Sequence, residues 1–88
     1  EEKMKEIESA YSKSDFAKYR LYVNGLKTTS LTIGAVQLSE DAKKMEHAAR
    51  CIVEGVEKEE AMQYIRYNHE AFVRLFSKAV KEASEYVQ

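Results

Sequence analysis

The two histidines and the single cysteine are the side chains of this 88-residue chain best suited to nucleophilic or metal chemistry, and their spacing favours neither. His47 and Cys51 are four residues apart, which puts them on one helical face, but two ligands do not close a metal site. A di-metal site in a helix bundle would place glutamate three residues before each histidine, and Lys44 and Arg66 stand there instead. His69 is three residues before Phe72 and four after Ile65, inside an apolar seam, so it reads as a hydrogen-bonded core histidine. His47 reads as a surface residue. No glycine-rich phosphate loop, nucleophile elbow or carboxylate pair in a credible cleft is present in the sequence, so neither a metal nor a cofactor is expected, and the chain is not expected to be an enzyme.

A second group of residues has the spacing of a polar helical stripe. If a helix from residue 16 buries Phe16, Tyr19, Val23, Leu26, Ser30 and Ile33, then Asn24 stands about 130° from the centre of that seam at 100° per residue. Arg20, Thr28 and Leu31 share its side of the helix and Lys27 flanks them, giving an amide, two cations, a hydroxyl and an exposed leucine. Gly25 lies among them in mid-helix, where glycine costs roughly 1 kcal/mol against alanine. The composition of this stripe also fits an ordinary solvated face.

The order of the residues says more. Asn24-Gly25-Leu26-Lys27-Thr28-Thr29-Ser30-Leu31-Thr32-Ile33-Gly34-Ala35 resembles the central motif of histidine-containing phosphotransfer (HPt) domains, approximately His-x-Leu-Lys-small-x-Ser-x-x-Ile-Gly-Ala. The resemblance extends through Tyr19 to Val23 before the motif and through Leu38-Ser39, Ala42-Lys43 and Met45-Glu46 after it. It continues into Tyr64-Ile65 and Asn68-His69-Glu70, covering the chain from Asp15 to Phe76. It implies an HPt-like bundle that docks the receiver domain of a response regulator or hybrid histidine kinase in two-component signalling. The docking residues it implies are Arg20, Asn24, Gly25, Lys27, Thr28 and Leu31.

Asn24 departs from that motif where the family carries its phosphoacceptor histidine. A neutral imidazole nitrogen is nucleophilic near neutral pH, whereas the lone pair of an amide nitrogen is delocalised into its carbonyl. The sequence as written is therefore expected to bind without relaying. Lys27, one turn on, is the cation that would steady a phosphoryl group on residue 24, and Gly25 and Thr28 are small enough to admit a partner's acidic pocket. Two origins fit: a pseudo-domain that keeps its docking surface, or a deliberate histidine-to-asparagine exchange. A generic helical interaction or dimerisation module, without receiver binding, is the reading from a different class. His69 occupies a position where the resembled family often has a histidine that it does not phosphorylate.

The elements that must hold this stripe are helices. The seam from Phe16 to Ile33 is expected to start at Ser14 as cap, with Asp15 in the first turn, and to end near Gly34. Leu38, Ala42, Met45, Ala49 and Ile52 form another seam, expected to start at Ser39 and to stop near Gly55. Met62, Ile65, His69, Phe72, Phe76, Ala79, Ala83 and Tyr86 predict a helix of about thirty residues, roughly 45 Å long. A shorter segment around Met4, Ile7 and Tyr11 precedes them. Short connections between four such helices predict an all-α, antiparallel up-and-down four-helix bundle.

Composition agrees with one small core. A chain of this length buries about 60 to 65 per cent of its unfolded surface, so residues 1–88 are expected to form a single domain. Proline is absent and only three glycines occur, too little punctuation for a many-stranded fold. Fourteen basic and fifteen acidic residues give a net charge of −1, which argues against nucleic-acid binding and against attraction to anionic lipid. One cysteine requires no oxidising compartment, and neither a signal-like segment at Glu1-Glu2-Lys3-Met4 nor an apolar run of membrane-spanning length is seen, so a cytoplasmic location without membrane insertion is expected. Beginning at glutamate, the sequence reads as a trimmed piece or as a domain cut from a longer protein.

Overall fold

A computed structural model describes the backbone of residues 2–87 and the side chains of residues 4–83. Among the described residues there are four helices and no strand: α1 (Glu2–Ser12), α2 (Phe16–Thr32), α3 (Val36–Glu54) and α4 (Lys58–Val87). α4 has the expected thirty residues and sets the longest dimension of 44 Å. Among the described residues no helix is long and apolar enough to cross a membrane.

The first three helices end in the same way. At each stop one amide reaches back five residues and the amide before it reaches back three. The pairs are Asp15 to Ala10 with Ser14 to Tyr11, Ala35 to Ser30 with Gly34 to Leu31, and Val56 to Cys51 with Gly55 to Ile52. This pattern satisfies carbonyls that the helix leaves open, and it requires a left-handed residue at the turn. Gly34 and Gly55 supply it at φ 80° and 77°, but the first stop uses Ser14 at φ 56°.

That geometry corrects two expected helix starts. Ser14 belongs to the end of α1, and Asp15 caps α2, its side chain accepting from the Lys18 amide at 3.3 Å. α3 begins at Val36, three residues before Ser39, because the turn at Gly34 already aims the chain. Its cap, Ala35, offers no side-chain bond. Ser39 is buried instead, and its hydroxyl donates to the Lys27 carbonyl at 3.3 Å.

Each helix packs on the next in sequence. Phe16, Tyr19, Val23, Leu26, Ile65, Phe72 and Phe76 are buried as the seams predict, with Ile7, Met45 and Ile52 completing the core. Ile33 is only half-buried: α2 ends at Thr32, and as the cap residue Ile33 leaves the helical seam. Met62, Ala79 and Ala83 are also half-buried, and the side chain of Tyr86 lies outside the described residues.

Candidate functional site

α2 presents the expected stripe. Asn24, Gly25, Thr28 and Leu31 are exposed, while Arg20 and Lys27 are half-buried at its edge. Leu31 is 58% exposed, and Leu21, which the sequence reading passed over, is 63% exposed. Leu21 precedes Asn24 by three residues and Gly25 by four, so it continues the same face one turn earlier. The signal was in that spacing. The two leucines lie about 15 Å apart along the axis and bracket a flat centre at Gly25.

Nothing in the fold requires glycine at position 25, since a Cβ there would meet no atom within 4 Å. The absent side chain therefore lowers the outer surface only. On the same half of the helix the Thr28, Thr29, Ser30 and Thr32 hydroxyls donate to the carbonyls of Asn24, Gly25, Leu26 and Thr28 at 2.8 to 3.4 Å. At Thr28, Thr29 and Thr32 these bonds occupy hydroxyl protons that could otherwise reach a partner, whereas Ser30 is buried. Among its charged residues α2 carries Lys18, Arg20 and Lys27 and no acid.

Lys27 is already engaged. Its Nζ donates to Glu46 Oε1 of α3 at 3.2 Å, with both side chains about a quarter to a third exposed. Glu46 was not foreseen as its partner. The cation that the motif assigns to residue 24 thus bridges two helices and leaves only part of its charge for the outer face.

The histidines sit where the spacing put them. His47 is exposed, with Nε2 3.7 Å from Cys51 Sγ. His69 is buried and bound at both nitrogens, by Tyr19 Oη to Nδ1 at 2.7 Å and by Glu8 to Nε2. A carboxylate only accepts, so Nε2–H donates to Glu8, and Nδ1 pairs with the Tyr19 hydroxyl. Tyr11 stacks on the imidazole at 3.9 Å between ring centroids. Burial first, then the neighbouring Tyr11 and Glu8, push the Tyr19 phenol well above its ordinary pKa. With both nitrogens occupied, this ring has no free lone pair for nucleophilic work. Among the described residues no group of three or more His, Cys, Asp or Glu side chains converges as metal ligands.

Two grooves lie between α3 and α4, away from the stripe. One of about 620 Å³ runs along Lys44, His47 and Cys51 beside Tyr64, and one of about 420 Å³ joins Val36 and Leu38 to Leu75 and Ala79. No family model matches the chain, and no curated protein or solved structure matches it.

Proposed function

We propose that this chain is an HPt-like domain of a cytoplasmic, bacterial-type phosphorelay that docks the receiver domain of a response regulator or hybrid histidine kinase. Arg20, Asn24, Gly25, Lys27, Thr28 and Leu31 form the docking face, with Leu21 at its near end. The reading is supported above all by the exposure of Asn24, Gly25, Thr28 and Leu31 together on one face of α2, in the order of the phosphotransfer motif. A helix with cations and no acid suits the acidic pocket of a receiver. Two exposed leucines in a polar stripe suit a small transient interface. The antiparallel up-and-down order belongs to the same reading. It is supported by the two grooves, in which the start of α3 faces residues 75–82 and its later turns face residues 57–64.

With Asn24 the domain binds and does not relay. Were position 24 histidine, the receiver's aspartyl phosphate would pass its phosphoryl group to the imidazole nitrogen and regain a free carboxylate, with the receiver supplying Mg²⁺ and its own lysine. Such a domain is a carrier more than an enzyme.

The second reading, a helical interaction module without receiver binding, is favoured by one observation, the engagement of Lys27 with Glu46. Calorimetry against a panel of purified receiver domains separates the two. At least one receiver should bind, and Leu31→Asp combined with Lys27→Glu should abolish that binding while circular dichroism stays unchanged. Binding untouched by that pair of changes, or no binding by any receiver, overturns the proposal. Asn24→His should in addition gain an acid-labile, base-stable label from the phosphorylated receiver. A label on the unaltered chain at His47 or His69 would contradict the assignment of position 24.

A further inference from the structure

The groove at the start of α3 takes no part in the docking face on α2. Val36 and Leu75 line it and are 63% and 51% exposed, and the groove holds about 420 Å³. Large aliphatic side chains gain free energy when such a surface is covered. α4 has 30 residues against 19 in α3, so it offers length that α3 cannot cover.

The charges around this groove indicate what covers it. Asp41 on α3 and Lys78 and Glu82 on α4 are its charged lining residues. None of the three makes an ion pair among the described residues, and Asp41 accepts only a hydrogen bond from Gln37 Nε2 at 3.2 Å. Among the described residues the groove lining therefore holds one cation and two anions without an ion-pair partner, beside apolar side chains. A partner of a single charge sign would match part of this lining and oppose the rest. A second copy related by a two-fold axis presents the same set in reverse, and in such a contact each pairing occurs twice.

We propose that the chain self-associates through this groove as a two-fold dimer. Lys78 of each copy meets Asp41 or Glu82 of the other, and Val36 and Leu75 of both copies are covered. The apolar part of the lining is small, which places the dimer in the weak class that buries less than about 1,200 Å² in total.

Sedimentation equilibrium from about 10 µM to about 1 mM tests this range of affinity. The expected result is a mass rising from one chain towards two. Leu75→Asp should weaken association by about tenfold or more, with helicity unchanged by circular dichroism. Lys78→Glu alone and Asp41→Lys/Glu82→Lys alone should each stay monomeric where the parent dimerises, and an equimolar mixture of the two should recover a two-chain mass. A single-chain mass over the whole range, a dimer unaffected by Leu75→Asp, or a mixture that fails to recover would each overturn the proposal.

Discussion

Lys27 of α2 is tied to Glu46 of α3, Nζ to Oε1 at 3.2 Å, and the backbone carbonyl of the same lysine accepts from Ser39. A cation one turn from Asn24 thus also ties α2 to α3. Glu46→Gln separates the two roles. It should lower unfolding free energy by only about 0.5–1 kcal/mol, as expected for a partly exposed pair. It should also raise receiver affinity several-fold at low salt, an effect that shrinks as salt is added. Calorimetry at two ionic strengths reads this, and weaker binding at low salt would mean that Glu46 itself touches the partner.

Gly25→Ala tests whether the flat centre of α2 serves packing or docking. Because the new methyl meets open space inside the chain, helix propensity decides the sign, and stability should rise by about 0.8–1 kcal/mol in urea titrations. Receiver affinity should fall. A gain in stability with no loss of affinity would place the interface away from position 25.

Ser14 marks a backbone cost that the sequence could remove. Its φ of 56° is a conformation that L side chains adopt at a penalty, so Ser14→Gly should stabilise the fold by about 0.5–1 kcal/mol. The reverse holds at Gly34, where φ is 80° and a Cβ would meet no neighbour. There Gly34→Ala should cost about 1 kcal/mol from backbone strain alone. Thermal melts of the two variants should move in opposite directions.

Tyr19 sets an alkaline limit. Its phenol is held protonated above the ordinary value near 10. The folded state therefore keeps a proton that the unfolded chain releases. Stability is fully present below about pH 10 and is lost above it, at up to about 1.4 kcal/mol per pH unit. Urea midpoints at pH 9, 10 and 11 should fall more steeply for the parent than for Tyr19→Phe. Parallel slopes would show that Tyr19 ionises as easily folded as unfolded.

The helices were legible because their seams are long and regular: Tyr19, Val23 and Leu26, then Ile65, Phe72 and Phe76, point inward in turn. Helix starts were less so. Serine is a good cap in general, and Ser14 and Ser39 each looked like one, but a serine in the left-handed region and a serine bonded to a carbonyl twelve residues back are results of tertiary geometry. The stripe around Asn24 could be placed from periodicity, and Leu21 could have been added by the same rule. Glu46 could not, because no periodicity within α2 shows which residue of α3 comes to rest against Lys27.

The Glu8–His69–Tyr19 link has a consequence for how the chain reaches its native state. Every other polar side-chain link described spans fewer than twenty residues, whereas these two bonds join positions 61 and 50 apart. Neighbouring helices can pair by short loop closures, which favours fast folding. The imidazole can find both partners only after α1, α2 and α4 have converged, so this link cannot precede the packing of those three helices. It also ties an eleven-residue helix, too short to persist alone in water, to α4.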